Sequence, residues 1–228
     1  MIDVNAFLTI LYVMIDDFNK GQLPTERPQP GRKASLSRSE VMCLAIFSQW
    51  YMFRSHRDFY RWAERHLRAA FPQLPDRGQF NRLVRHHQDA ITAFSLHLVE
   101  LMGARHTVYE VLDTSGVPVR NVKRRGRSWL AGLANVGMCT RLGWYHGFRL
   151  LIATSPIGVI TGYGFGAGSA KEQPLTEVFL GLRFRPDPHF PSVGQRAIGY
   201  YLADKGFAGA KTHQRWEELY DARMVCEP

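Results

Sequence analysis

TVYEVLDTSGVPV, residues 107–119, decides the fold of this chain, because an apolar run ends there at Asp113 and small turn-forming residues follow. A short apolar run bounded by turn residues predicts a buried β-strand. The same pattern returns in IGYYLADKGFA, residues 198–208, where Asp204 follows the apolar run. Ligands of α/β proteins bind where strands leave the sheet. We therefore expect Asp113 and Asp204 to lie at the ends of two adjacent strands and to hold a divalent cation together.

Each aspartate also has a purely structural interpretation. Asp-Thr-Ser-Gly at Asp113 is favourable turn chemistry, and Asp204 can cap the helical segment that follows it. A carboxylate is, however, a hard oxygen ligand of the kind that Mg²⁺ and Mn²⁺ prefer, and Asp is disfavoured inside strands. Two such acids in a basic chain favour a metal site that faces phosphate.

The charge balance of the 228 residues points to a polyanionic partner, since 29 Lys and Arg against 20 Asp and Glu give a net charge of +9. The three cysteines, Cys43, Cys139 and Cys226, form no C-x-x-C pair, which argues against a zinc knuckle or a disulfide framework. The N-terminus lacks a signal-peptide pattern, and no apolar run is long enough to cross a membrane. We expect a soluble, cytoplasmic protein that binds nucleic acid.

Apolar spacing divides the chain into a helical part, residues 1–105, and a part built around a sheet, residues 106–228. Helical periodicity recurs in the first part, where Ser37 and Glu40 form a capping-box pattern. The second part is predicted in the order β, β, β, α, β, α, β, with a long Gly- and Arg-rich connection over residues 114–143. The predicted fold class is α+β or α/β: an N-terminal helical bundle, then a mixed sheet with flanking helices whose order resembles an RNase H-like sheet.

Basic residues cluster beside both aspartates. The segment after Asp113 carries five of them, and two more lie on or beside later predicted strands. Such residues can be ordinary solvated charges. Next to an acid at a strand end, we expect them to contact a DNA backbone, in which case binding weakens steeply with salt. The predicted DNA-binding residues are Arg120, Lys123, Arg124, Arg125, Arg127, Arg149 and Lys205.

Three blocks of the sequence together resemble the DDE-class transposases of bacterial insertion sequences. They are LDTSGVPV (residues 112–119), GWYHGFR (residues 143–149) and LADKGF (residues 202–207). The segments at residues 36–41 and 71–80 resemble the helical region of the same family. The resemblance covers most of the chain, and it implies an RNase H-like catalytic domain after a helical DNA-binding domain.

By this resemblance, Asp113 and Asp204 are the first two of three catalytic acids and ligands of two Mg²⁺ or Mn²⁺ ions. The implied activity is cleavage at the ends of the element, followed by strand transfer into target DNA. The implied partners are the terminal repeats of the element and the target DNA, in the bacterial cytoplasm with the nucleoid. A homo-oligomer is left open.

The family's third acid, a Glu on a later helix, has no match in this chain. Glu217 and Glu218 come too soon after Asp204, and Glu227 follows the last predicted strand. We therefore expect a C-terminally truncated catalytic domain that is inactive, or nearly so, by itself. Two alternatives stay open: a DNA-binding regulator that does not cut, and an RNase H-like nuclease unrelated to transposition.

Overall fold

The computed structural model describes residues 3–26, 34–50, 53–120, 130, 132–194 and 199–226. The chain forms two compact units, Met1–Ser95 and Leu96–Pro228. The sequence-based boundary between residues 105 and 106 lies further along the chain and stays a prediction. In the part of the chain that the structure describes, no helix is both long and apolar enough to span a membrane.

Helices account for most of residues 4–101. They are α1 (Val4–Gln22), α2 (Arg38–Trp50), α3 (His56–His66), α4 (Arg77–His86) and α5 (Gln88–Leu101). The capping box at the start of α2 is confirmed: Glu40 Oε2 accepts from the Ser37 N–H at 2.7 Å, and Ser37 Oγ accepts from the Glu40 N–H at 3.2 Å. Asp76 caps α4 through the Gln79 N–H at 3.0 Å. The predicted helical character of this region is confirmed.

Aromatic and aliphatic side chains form the core of the first unit. Phe47 and Phe59 are almost fully buried, and their rings meet edge to face with centroids 6.4 Å apart. Other fully buried members of this core are Ile15, Met42, Leu44, Phe80 and Phe94. Each helix buries one apolar face here and turns its polar face to solvent.

A mixed sheet of six strands forms the second unit, counted over the described residues. The strands are β1 (Tyr109–Arg120), β2 (Asn135–Cys139), β3 (Gly143–Thr154), β4 (Ile160–Ala167), β5 (Tyr200–Ala203) and β6 (Arg223–Cys226). The helices α6 (Glu172–Phe184) and α7 (Ala210–Tyr220) flank the sheet. Strand β3 pairs antiparallel with β1, β2 and β4, whereas β5 lies parallel between β1 and β6. This α+β, RNase H-like arrangement confirms the predicted fold class.

Strands β1 and β2 correct the predicted connection over residues 114–143. Strand β1 does not turn after Asp113 but continues to Arg120, paired with β3 along its length. The short edge strand β2, which the sequence did not predict, pairs with the first part of β3. Cross-strand partners stabilise an extended backbone here despite the low strand propensity of Asp, Gly and Pro.

Two glycines, one on β3 and one after it, lie where the backbone geometry favours a residue without a side chain. Gly158 closes the β3–β4 hairpin at φ +81°, and its N–H donates to the Ser155 carbonyl at 2.9 Å. Gly147 lies where a Cβ would overlap the backbone carbonyl of Val117. The absence of a side chain at Gly147 therefore allows the backbone of β1 to approach β3 closely here.

A buried ion pair lies in the core of the second unit. Glu110 on β1 accepts from Arg183 Nη1 on α6, and both side chains are at most 1% exposed. Arg183 also donates from Nε to the Val193 carbonyl at 3.0 Å and from Nη2 to Thr161 Oγ1 at 3.3 Å. Apolar residues surround the pair, among them Leu112, Leu151, Phe179, Tyr201, Phe207 and Trp216. This core holds α6 against the sheet and so sets the position of the residue with which α6 begins, Glu172.

Candidate active site

One pocket of the second unit brings both predicted acids together. Its volume is about 510 Å³, and its lining residues are Asp113, Thr114, Ser115, Gly116, Met138, Cys139, Thr140, Arg141, Arg149, Glu172 and Asp204. The two aspartates meet because β1 and β5 are adjacent parallel strands, with Val111 opposite Leu202 two positions before each acid. The predicted adjacency of their strands is confirmed, and their chemical role stays a prediction.

Asp113 lies inside β1 rather than at its end, which corrects the sequence-based placement. It is exposed and stands opposite Ile152 of β3. Its neighbour Leu112 is buried in the core, and alternation along a strand turns Asp113 to the opposite face. Asp113 Oδ1 accepts from the Thr114 N–H at 2.7 Å. The acid is therefore held by its own strand and faces the pocket.

Asp204 directly follows β5 and caps a short 3-10 helix, Lys205–Phe207. Its Oδ1 accepts from the Gly206 N–H at 3.0 Å, as expected for a capping residue. Asp204 also lines the pocket, so it has a capping contact and a position in the pocket at the same time. Its negative charge also acts on a residue of β6. The pKa of the Cys226 thiol is raised, mainly because the thiol is buried and in addition because Asp204 is nearby. Among the described residues, the second carboxylate oxygen of Asp204 accepts no hydrogen bond.

Glu172 is a third carboxylate of the pocket, and the sequence did not single it out. Its Oε1 accepts from Thr114 Oγ1 at 2.7 Å and from Arg149 Nη1 at 3.2 Å. Its Oε2 lies against Gly206, at a place that a Cβ on that glycine would occupy. A Glu in the first turn of a helix has an ordinary explanation in the helix dipole. No local signal therefore marks Glu172, because its partners are distant in sequence.

Arg149, a predicted phosphate ligand, lies in the pocket and is already bound on two sides. Besides the contact with Glu172, its Nη2 donates to the Met138 carbonyl at 3.0 Å. Its side chain is 16% exposed. By contrast Arg141, which the sequence did not single out, lines the same pocket and is exposed. Arg141 is the better placed of the two to meet a phosphate from solvent.

The other predicted DNA-binding residues lie elsewhere. Lys205 is exposed beside Asp204 but does not line the pocket. Arg120 ends β1, with its backbone opposite His146 of β3. Lys123, Arg124, Arg125 and Arg127 fall outside the residues that the structure describes.

The donor chemistry of the pocket fits a magnesium ion. Proteins usually hold Mg²⁺ through one or two carboxylates together with waters and substrate phosphates, and Asp113 and Asp204 offer two carboxylates in one pocket. Across the described ranges, no three His, Cys, Asp or Glu side chains are grouped so that they could hold a metal ion. The pocket therefore fits a cation that takes the rest of its ligands from water or phosphate.

The first unit carries a basic helical face. Arg57, Arg61 and Arg65 recur every four residues on α3, so they lie on one side of the helix, opposite the buried Phe59 and Ala63. All three are exposed, and none has a hydrogen-bond or ion-pair partner among the described residues. The surrounding residues 54–85 contain eight arginines against three acids, whereas residues 1–53 contain five basic and five acidic residues. Positive charge is thus concentrated on this part of the first unit.

Comparison with solved structures gives weak similarities to transposase complexes. No protein-family model and no curated protein matches the chain. A piggyBac transposase synaptic complex with hairpin DNA aligns at 12% identity and a TM-score of 0.41, over 95% of this chain and 48% of that one. A Mos1 transposase paired-end complex with the left transposon end aligns at 12% identity and a TM-score of 0.28, over 92% of this chain and 64% of that one.

A pre-cleavage Mos1 transpososome aligns at 10% identity and a TM-score of 0.25, over 92% of this chain and 65% of that one. The chain thus spans about half the length of the piggyBac chain and less than two thirds of the Mos1 chains. These identities and TM-scores are too low for any residue's role to be carried over.

Proposed function

We propose that this chain is a transposase of the DDE class, which binds DNA and uses Asp113 and Asp204 to hold divalent cations for phosphoryl transfer. The observation that carries the proposal is the position of both aspartates in one pocket of an RNase H-like sheet, with Asp113 on β1 and Asp204 directly after the adjacent parallel strand β5. The sequence blocks that resemble the family contain these same two residues.

The residues of the pocket have distinct roles in the proposed reaction. Asp113 and Asp204 are the carboxylates that hold Mg²⁺ or Mn²⁺, and a hydrogen bond from the backbone orients each. When bound, such cations activate a water or a DNA 3′-hydroxyl and stabilise the leaving oxygen. Exposed Arg141 at the same pocket binds a phosphate of the scissile strand by its guanidinium.

DNA as the partner is supported by charge. The net charge of +9 attracts a polyanion, and the arginine face of α3 presents unpaired guanidinium groups to solvent. The predicted basic segment from Arg120 to Arg127 adds further positive charge directly after the strand that carries Asp113.

The first test is a Mn²⁺ titration of the full chain, with and without duplex DNA. We expect Mn²⁺ to bind, to bind more tightly when DNA supplies phosphate ligands, and to be lost in Asp113→Asn and in Asp204→Asn. The matched control is Asp17→Asn, which removes an exposed carboxylate from α1. Equal Mn²⁺ binding by all four proteins would refute the proposed metal site.

Catalysis is tested with supercoiled DNA and Mg²⁺ or Mn²⁺. Because the described residues offer two aspartates and no grouped set of three metal-ligating side chains, we expect cleavage by these 228 residues to be weak or undetectable. Efficient cleavage that is lost in Asp113→Ala would show that the two aspartates suffice.

A DNA-binding regulator that does not cut is the second candidate. The same lack of a grouped set of three ligands among the described residues favours it. Under this alternative, DNA binding is equal in Mg²⁺ and in EDTA and is unchanged in Asp113→Asn. Under the leading proposal, Mg²⁺ strengthens DNA binding by the wild-type chain but not by Asp113→Asn.

A further inference from the structure

Glu172 touches both of the segments that carry the pocket's aspartates. Its Oε1 accepts from Thr114, the residue after Asp113, at 2.7 Å, and its Oε2 lies against Gly206, two residues after Asp204. A single carboxylate at the start of α6 therefore bridges β1 and the turn after β5. A displacement of the Glu172 side chain therefore alters the surroundings of Asp113 and Asp204 together.

Glu172 also holds the arginine that shares the pocket with both aspartates. Arg149 Nη1 donates to Glu172 at 3.2 Å and Nη2 to the Met138 carbonyl at 3.0 Å. The side chains of Arg149 and Glu172 are 16% and 21% exposed, so water screens their charges only in part. A guanidinium released from these partners would pair with another carboxylate, because its fork of donors matches carboxylate geometry. In this pocket those carboxylates are Asp113 and Asp204.

We propose that Glu172 is a positioning residue that holds Arg149 away from Asp113 and Asp204, so that the two aspartates remain available to a divalent cation. This inference rests on the proposed function. It gives Glu172 no direct bond to the cation: Glu172 acts through Arg149 and through the segments at Thr114 and Gly206. Its presence explains how a pocket can contain an arginine and still accept Mg²⁺ or Mn²⁺.

The test is Mn²⁺ affinity of the full chain in Glu172→Ala, Arg149→Met and the double variant. Loss of a group that orients metal ligands typically weakens metal binding by roughly 10–100-fold, and we expect Glu172→Ala to fall in that range. The double variant is expected to recover most of the lost affinity, because the freed guanidinium is gone. A milder pair, Glu172→Gln with and without Arg149→Met, repeats the comparison with a side chain of the same shape.

The matched control is Glu177→Ala on the same helix. Glu177 forms an ion pair with Arg215 away from the pocket, so its removal is expected to leave Mn²⁺ affinity unchanged. Thermal unfolding of each variant verifies that it is folded at the assay temperature. If Glu172→Ala unfolds, the Gln pair decides the outcome.

Three outcomes contradict the inference, and they are distinguishable. If the double variant binds Mn²⁺ as weakly as Glu172→Ala, Glu172 does not act by holding Arg149 away from the aspartates, and the inference fails. If Glu172→Ala binds like the wild type while Asp113→Asn does not bind, the inference fails and the proposed function stands. If the wild-type chain binds no Mn²⁺, the proposed function and the inference fall together.

Discussion

Gly206 lies between Asp204 and the side chain of Glu172, and the space left by its missing Cβ is what Glu172 Oε2 uses. The Gly206 N–H also donates to Asp204 Oδ1 at 3.0 Å. One residue without a side chain therefore allows a capped aspartate and a second carboxylate to come together. Two acids this close need the donors that surround them, Thr114, Arg149 and the backbone.

We predict that Gly206→Ala weakens Mn²⁺ binding to the same extent as Glu172→Ala. A Cβ at this position overlaps Glu172 Oε2, so the carboxylate has to leave and Arg149 loses its partner. The matched control is Gly21→Ala on α1, where a Cβ meets open space. That change is expected to raise the free energy of unfolding by up to about 1 kcal/mol without altering Mn²⁺ binding. Wild-type affinity in Gly206→Ala would show that Glu172 can move without consequence.

At the scale of an element, α3 is the clearest basic surface of the described chain. Its start is capped by Ser55, whose Oγ accepts from the Asp58 N–H at 3.2 Å. One face packs Phe59 and Ala63 into the core, and the other presents Arg57, Arg61 and Arg65. Four residues of α-helix rise about 6 Å, so the three guanidinium groups can follow a DNA backbone as separate charges.

We predict that the triple variant Arg57→Gln, Arg61→Gln, Arg65→Gln binds duplex DNA more weakly and with a smaller salt dependence. Each lost phosphate contact reduces the slope of log Kobs against log salt by about 0.9, so three contacts reduce it by about 2.7. The measurement is fluorescence anisotropy of a labelled duplex across a series of salt concentrations.

The control for this prediction removes the same number of charges elsewhere, in a triple Gln variant of Arg185, Arg215 and Arg223 of the second unit. Two of these arginines already have carboxylate partners, Glu177 and Glu217. Their variant is expected to keep nearly the wild-type slope. If the two triple variants behave alike, overall charge rather than the α3 face determines DNA binding.

For the molecule as a whole, the buried pair of Glu110 and Arg183 holds the sheet unit together. Arg183 reaches from α6 to β1, to Thr161 on β4 and to the Val193 carbonyl, and its guanidinium stacks on Phe179 at 4.5 Å from the ring centre. A buried charge that loses its partner is strongly destabilising, whereas replacing both charges by apolar groups is far milder.

We predict that Arg183→Met lowers the free energy of unfolding by about 3–5 kcal/mol. The double variant Glu110→Met, Arg183→Met is expected to recover most of this loss, because no unpaired charge remains in the core. Urea unfolding followed by intrinsic fluorescence measures the effect, since Trp216 is fully buried in the same core. A wild-type midpoint for Arg183→Met would mean that water reaches Glu110 and solvates it.

The helices and most strands could be predicted because their signals are local. The capping box at Ser37 and Glu40 depends on residues three positions apart, and the turn at Gly158 depends on residues 155–158. The continuation of β1 past Asp113 could not be predicted, since the segment reads as a turn and is extended only because β3 pairs with it. Strand β2 was missed for the same reason: it is a short edge strand that exists through its pairing with β3.

The sequence by itself determined the fold class, the concentration of positive charge and the two apolar runs that form the adjacent strands carrying or preceding Asp113 and Asp204. Those properties follow from composition and from periodicity, which neighbouring residues set. Only the tertiary structure decided that Glu172 is the third carboxylate of the pocket and that Arg149 is held there by two partners. Thr114 and Glu172 are 58 positions apart, and their contact depends on where the buried Arg183 pair and the surrounding core place the start of α6 on the sheet.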